Sequence, residues 1–477
     1  MSNQKAAING AKWTTTSTVI TTVLSFAQMA IIARVLDPAI FGLVSICSLV
    51  INFFHIFANL GFTNSIISKQ ETDKKNLSTI FFASISLGLI MGILIYLSSG
   101  FVVDYYDEPR LGYVIKVSSF TFPLIYTGQI YWNLLQKELE FKILAIIEVI
   151  AAVVSITVTI LLAYNDYQEL SIIYSQLLIT FIKMVLYMYL GRKLFTPILY
   201  FKLSEIKDHL RFGMYHLGEG ILGFVNGNLE NIVIGKAIGV KELGLYTIAY
   251  QLAVFPIYRL NPIIMQVSYP IMAKMKDNEG LKRAYLKIVD FITCCNFPLL
   301  AGLFITSSSV VVFIYGNNYA ESVPLVRVIL FVSFLACMTA PISSLAMSKN
   351  KPNIMFYLNL STLFVKIPMI YLLSRYFGLM GIVTGCVISS LLESIVVFNL
   401  VKRLVGSIVK PFVANIIKPV SFCLIMVAVI AVYQYFVGNF GVFHIAAQVA
   451  IGGVIYAGLI LKYKLSIKEI LSLRESL

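Results

Sequence analysis

Inside long apolar runs, this sequence places Glu219, Glu230 and Arg259, with amides at Asn52, Asn59, Asn226, Asn228 and Gln251 and an imidazole at His55. A carboxylate in such a setting can take up a proton or pair with a cation. A guanidinium can hold a phosphate through paired, charge-assisted hydrogen bonds. Amides and hydroxyls can trade hydrogen bonds with water or with a hydroxyl-rich ligand. The spacing is ordered. Thr14, Thr18, Thr21, Ser25 and Gln28 step by 4, 3, 4 and 3, and Asn52, His55 and Asn59 by 3 and 4. Each set falls on one face of a helix. In hydrocarbon a polar face must meet protein or water. These faces therefore line a wet cavity, or they hydrogen-bond one helix to the next; both readings stay open for the Ser and Thr positions.

Glu219 and Arg259 each lie twenty residues from Gly239. In an antiparallel hairpin they reach the same depth. A charge at the bilayer centre costs at least ~2.5–3.5 kcal/mol, which a partner or a wet cavity must offset. A purely structural pair would do so. So would a gate or phosphate site centred on Arg259. Lys366 and Glu393, in adjacent runs, read as a structural pair. Glu148, Lys183 and Asp290 lie near inner ends, where their side chains can reach the interface.

The elements that position these residues follow from composition. Of 477 residues, 58% are hydrophobic and 13% charged, with mean hydropathy +0.85. A soluble chain carries roughly a quarter charged residues. Apolar runs of about twenty residues recur, each enough to cross ~30 Å of hydrocarbon as a helix. The expected class is an all-α polytopic membrane protein. Fourteen spans are predicted, near 13–35, 41–67, 78–101, 111–134, 142–164, 170–190, 211–235, 243–272, 284–307, 323–346, 353–375, 379–402, 410–436 and 440–462. The first is too long and too polar for a cleavable signal peptide. Outer-membrane strands would be about ten residues long and alternating. With both termini inside, 26 of the 37 Lys and Arg residues fall in inner segments, 7 near outer connectors and 4 within spans. The positive-inside rule therefore puts both termini in the cytoplasm. The net charge of +14 is mostly this bias, which also favours anionic lipid headgroups.

Two segments repeat. "IIARVLDPAIFGLVSI" at 31–46 aligns without a gap on "VIGKAIGVKELGLYTI" at 233–248, matching Arg34 with Lys236 and Gly42 with Gly244. Six spans separate the copies, so both point the same way. That is a parallel repeat about a pseudo-two-fold axis along the membrane normal. Weaker echoes near 102–119 and 311–333 continue the series. The expected organisation is an N-lobe of six helices (1–192), a cytoplasmic linker (193–210), a C-lobe of six helices (211–404), and an extra pair with a basic tail (405–477). Each lobe would carry the same charged outer turn between its first two helices.

Other chemistry is absent from the sequence. "GEGILG", with Gly218, Gly220 and Gly223, has the spacing of a dinucleotide fingerprint but sits inside an apolar helical run. There is no phosphate-binding nucleotide loop, no nucleophile–base set and no metal spacing among the four histidines. The six cysteines lie in apolar runs and read as small hydrophobes. No soluble basic domain suggests nucleic acid. The chain is expected to be no enzyme, to hold no cofactor, and to draw on H+ or Na+ coupling or on downstream consumption of its substrate.

The strings "ARVLDPAIFGL", "FANLGFTNSIISKQ", "NGNLENIVIGKAIGVKELGLYTIAYQLAVFP" and "SYPIMAKMKD" resemble the polysaccharide flippases of the multidrug/oligosaccharidyl-lipid/polysaccharide exporter superfamily, most closely the Wzx-type, colanic-acid-exporter-like branch. The resemblance covers nearly the whole chain. It implies transfer of undecaprenyl-pyrophosphate-linked oligosaccharide across the bacterial cytoplasmic membrane by alternating access, for surface polysaccharide synthesis. A polymerase and export machinery are implied as partners. It also implies a cavity lined by the first two helices of each lobe, which agrees with the polar positions read there: Thr21, Ser25, Gln28, Asn52, His55, Asn59, Glu219, Asn226, Asn228, Glu230, Gln251 and Arg259. The family often has Asp where this chain has Asn59 and Glu230, so a charge is lost at Asn59 and kept at Glu230. A murein-precursor lipid flippase and a cation-coupled multidrug exporter of the same superfamily are the alternatives.

Overall fold

Apolar runs this long satisfy their backbone groups in hydrocarbon only by closing them within each segment, and the described runs do so as helices. The computed structural model of the protein describes residues 2–58, 73–202, 207–275, 277–351 and 353–463, and secondary structure among them is wholly helical. The first half holds α1 (Ser2–Ala33), α2 (Pro38–Ala58), α3 (Lys74–Tyr106), α4 (Arg110–Ser118), α5 (Thr121–Lys137), α6 (Phe141–Tyr164), α7 (Gln168–Gly191) and α8 (Lys207–Ala237). Then come α9 (Val240–Lys274), α10 (Asn278–Tyr315), a 3-10 turn (Asn317–Ser322), α11 (Val323–Thr339), α12 (Ile342–Ser348), α13 (Asn353–Val405), α14 (Val409–Phe436) and α15 (Val442–Tyr463). Among the described residues ten helical stretches are long and apolar enough to cross a membrane.

Several expected spans differ from the helices found. The run at 111–134 is divided into α4 and α5 at Ser119–Phe120. The run at 323–346 is divided before Pro341, which lacks the N–H a continuing helix would use. The runs at 353–375 and 379–402 lie in one 53-residue element broken at Gly378, whose φ of 54° and ψ of −134° are non-helical. Only glycine adopts such a backbone readily. The span at 41–67 extends past the end of α2, and 59–67 lie outside the described residues.

The chain forms two compact units, Met1–Gly244 and Leu245–Leu477. In the first, α1 packs along α6, α6 on α7, α7 on α5 and α5 on α3, while α2 touches α3, α4, α7 and α8. Near the ends of α3, α5 and α7, Leu77, Ile80, Phe81, Tyr131, Leu134 and Phe195 form an apolar cluster. In the second unit α10 is central. It packs on α11, α14 and α15, and α11 packs on α13. Tyr285, Phe297 and Tyr315 are fully buried along α10, with Phe297 stacked on Phe334 at 3.6 Å.

One contact in the first unit is reciprocal. A β-carbon built on Gly42 would run into the Val240 carbonyl, and one built on Gly244 would run into the Pro38 carbonyl. The same two built atoms would lie 3.2 Å from the Gly244 nitrogen and 3.1 Å from the Gly42 nitrogen. Pro38 and Val240, like Gly42 and Gly244, stand 202 residues apart. The backbones therefore cross at matching positions of the sequence repeat, which only glycine allows.

Candidate functional site

On α1, the polar stripe divides between two roles. Gln28 Nε2 donates to Thr159 Oγ1 at 2.8 Å, and Ser155 Oγ donates to Gln28 Oε1 at 3.4 Å. Thr159 is fully buried and also meets Ser175 Oγ at 2.7 Å. Gln28 thus ties α1 to α6, and Thr159 ties α6 to α7. Thr21 turns its hydroxyl onto its own helix, at 2.8 Å from Ser17 O. Ser25 is exposed. Sequence spacing puts all three on one face of a helix, and α1 is helical across them. Its partners on α6 and α7 were not foreseen, although Ser155 and Thr159 are themselves four residues apart.

On α2, Asn52 is exposed and His55 is half-buried. The His55 ring lies 4.5 Å from that of Phe122, tilted by 30°, and 6.4 Å from Tyr126. Asn59 lies outside the described residues. The neighbouring Phe53 meets Phe224 of α8 at 5.5 Å. A β-carbon on Gly220 would come within 3.0 Å of Ile56. The glycines of "GEGILG" therefore lie within a helix, and Gly220 admits α2 closely.

Glu230 of α8 is buried, at 9% exposure. Asn226 and Asn228 are half-buried, and Asn228 Nδ2 donates to Phe224 O at 2.9 Å. The side chain of Glu219 lies outside the described residues, as does any pairing of it with Arg259. In the second unit Arg259 and Gln251 are exposed on α9. The Arg259 guanidinium sits 5.7 Å from the Phe255 ring centroid. Two prolines, Pro256 and Pro262, bracket it inside the helix. Each removes a backbone N–H, freeing the carbonyl four residues earlier, at Leu252 and Tyr258. An exposed cation on a helix interrupted by prolines suits a polar ligand or water. Asn261 accepts from the fully buried Asn296 Nδ2 at 3.0 Å, joining α9 to α10. Asn296 was legible only as a lone amide in an apolar run.

Charged groups elsewhere are held differently. Lys183 Nζ meets Glu148 Oε2 at 2.7 Å, and Tyr187 Oη donates to Glu148 Oε1 at 3.0 Å. They satisfy one another between α6 and α7 instead of reaching separately to an interface. At the end of the first unit that bears the Asp37 and Asp107 turns, Arg110 grips Glu108 through two bonds of 2.9 and 3.2 Å. That grip holds the Glu108 carboxyl below the usual carboxylate range. Nearby, Asp37, Arg110, Asp166 and Gln168 rim a small cavity of about 180 Å³ floored by Leu36, Ile40 and Ala163. Lys236 pairs with Asp107 at 2.8 Å and lies 5.6 Å from the Tyr105 ring centroid. Among the described residues no cluster of His, Cys, Asp and Glu could hold a metal.

Comparison with known proteins supplies what geometry alone does not. The sequence profile of a family described as "Polysaccharide biosynthesis protein" matches residues 31–324. The chain is 32% identical over 409 residues to the lipopolysaccharide biosynthesis protein WzxC of Escherichia coli (strain K12), covering 85% of this chain and 83% of that one. It is 28% identical over 354 residues to the teichuronic acid biosynthesis protein TuaB of Bacillus subtilis (strain 168), covering 74% and 73%. Among solved structures it resembles the lipid II flippase MurJ in an inward closed conformation, with TM-score 0.77 at 13% identity over 94% and 98% of the two chains. An inward-facing multidrug resistance MATE transporter matches with TM-score 0.65 at 15% identity, over 81% and 94%. At such identities these last two likenesses show the fold.

Proposed function

Because the chain belongs to this polysaccharide biosynthesis protein family, we propose that it turns lipid-linked oligosaccharides over, headgroup first, from the cytoplasmic to the outer leaflet of a bacterial cytoplasmic membrane. It is a membrane flippase of polysaccharide biosynthesis. The observation that carries this reading is its kinship along most of its length with WzxC, a lipopolysaccharide biosynthesis protein. The murein-precursor and multidrug alternatives have fold likeness alone on their side.

The barrier is physical. A sugar headgroup with its pyrophosphate brings many polar groups, and each left unpaired in hydrocarbon costs several kcal/mol. Unaided crossing is negligible. A protein lowers that barrier by offering water and amides to the head while the prenyl tail stays in lipid. Asn52, His55, Asn226, Asn228, Gln251 and Arg259 are assigned here to the wet path, with Glu219, Asn59, Thr21 and Ser25. Gln28 also belongs to this face, although it bonds inward to Thr159. Arg259, exposed on α9 between two prolines, is the group assigned to the pyrophosphate. Glu219 and Glu230 are the carboxylates assigned to proton or sodium coupling, since a carboxylate changes charge as its hydration changes.

In this reading fourteen spans form two parallel six-helix lobes, 1–192 and 211–404, joined by 193–210 and followed by the pair in 405–477. The lobes rock to expose the path to either side in turn. Both termini face the cytoplasm, where basic segments meet anionic lipid headgroups. A polysaccharide polymerase consumes the delivered substrate.

Vesicles reconstituted with the protein and its native lipid-linked oligosaccharide test the reading. Headgroups should become accessible on the far leaflet only when protein is present, and Arg259→Ala should slow this at least tenfold. Equal translocation in protein-free vesicles would overturn the flippase reading. So would drug efflux by a protein that leaves the glycolipid in place.

A further inference from the structure

The crossing of α2 with the first residues of α9 brings main chain onto main chain. Gly42 stands against the Val240 carbonyl and Gly244 against the Pro38 carbonyl. Around it Leu43, Ile46 and Leu243 have 0% exposure, so the crossing is packed dry. Close approach at small residues is how helices associate in lipid, where no hydrophobic force separates protein from solvent. The same end carries a second connection. The α8–α9 turn reaches the end of α3 through Lys236, which meets Asp107 at 2.8 Å beside Tyr105. Gly235 lies against the ring of Tyr106. That ion pair is open to solvent, with side-chain exposures of 40% and 80%.

From this arrangement we infer that the Gly42–Gly244 crossing is the seal of the outer mouth of the path, and that the Asp107–Lys236 pair is its releasable tie. The inference rests on the alternating-access reading above. Its parts have matched strengths. A backbone crossing with no side chain between seals completely but offers nothing to hook, so it can part without breaking side-chain hydrogen bonds. An exposed ion pair is weak, worth a few-fold in an equilibrium, so it biases closure without locking it. Reciprocity adds a sharper expectation. A single added methyl at either glycine pushes the same two backbones apart, so the second methyl finds the crossing already open. The two substitutions must be strongly non-additive, as changes at contacting sites are.

The test reads opening directly and needs no substrate. In a cysteine-free background, Ile46→Cys places one thiol beneath the crossing. Its rate of reaction with a membrane-impermeant maleimide is followed from outside intact cells. Gly42→Ala and Gly244→Ala should each raise the rate roughly tenfold or more, and the double variant should exceed neither by more than about twofold. Asp107→Lys and Lys236→Asp should each raise it roughly two- to fivefold, and the charge-swapped double variant should return it to the parent value. Unchanged labelling in well-folded glycine variants would overturn the inference, as would multiplicative effects or a swap that fails to restore. Should the glycine variants not fold, a short bifunctional thiol reagent bridging Asp107→Cys and Lys236→Cys must suppress labelling of Ile46→Cys, reversibly on reduction; undiminished labelling would overturn the inference. Labelling that follows these expectations while no glycolipid moves in vesicles supports the seal and removes only the flippase assignment.

Discussion

Gln28 separates the two roles a polar helix face can have in a membrane, and Thr159→Val exposes the difference. Valine keeps the shape of threonine, so no cavity forms. It removes the hydroxyl that receives Gln28 Nε2 at 2.8 Å in a fully buried position. Hydrogen bonds between membrane helices average about 0.6 kcal/mol and reach about 1.7. A buried donor left unpaired costs about 1–3 kcal/mol. The substitution should therefore destabilise by about 1–2 kcal/mol. Gln28→Leu removes the amide donor and acceptor together and should cost less, because Thr159 Oγ1 still has Ser155 O and Ser175 Oγ as partners, each at 2.7 Å. The double variant should be closer to Gln28→Leu than to the sum, leaving a coupling of about 1 kcal/mol. Equilibrium unfolding of the purified protein in a detergent–SDS series measures each value, and export of surface polysaccharide per folded molecule is measured alongside. Thr159→Val should keep its export. Additive stabilities would refute the bond as an energetic link. Normal stability with lost export in Gln28→Leu would show that Gln28 acts in the transport path and not through its bond to Thr159.

Two further expectations concern charges and sidedness. Arg259→Ala should reduce export more than Lys183→Ala, which instead should lower stability by stranding Glu148 with Tyr187 as its remaining tie; export assays beside melting curves decide, and the reverse ranking would unseat Arg259. A lone cysteine replacing Asp73 should react with an impermeant reagent only from the cytoplasmic side, and one replacing Asp107 only from outside; outside labelling of position 73 in intact cells would overturn the orientation.

Much of this was legible in the sequence because hydropathy is a bulk signal. A run such as 78–101 had to be helical in lipid, and it lies within α3, Lys74–Tyr106. The repeat of the Arg34–Gly42 segment at Lys236–Gly244 was legible too, although that its matched glycines meet was not. Side-chain direction was not legible. Spacing fixes which residues share a face, yet nothing in "AQMAII" says whether Gln28 looks toward water or toward Thr159. Breaks were missed for a related reason. The division of α4 from α5 at Ser119–Phe120 is marked only by Pro123, which cannot donate to the Ser119 carbonyl, and a proline within an apolar run does not by itself fix a break. Lys183 and Glu148 sit 35 residues apart on consecutive helices, and only the packing of α6 on α7 makes them partners.

The break at Gly378 has a consequence for how the protein is made. An unbroken helix of 53 residues would be about 80 Å long, at 1.5 Å per residue, against a hydrocarbon layer of about 30 Å. Read straight through, the segment crosses once and emerges on the opposite side. Turned at Gly378, it enters and returns. The difference is one of parity. Every helix synthesised later inherits it, and with it the side on which Lys402, Arg403 and Lys410 emerge. If both halves cross, they enter the bilayer as a hairpin, since almost no polar chain separates them. A residue unable to adopt φ of 54° at that point would thus threaten more than local packing: it would set the turn against the preference of those basic residues for the cytoplasm, and the final 70 or so residues would be placed by whichever prevailed.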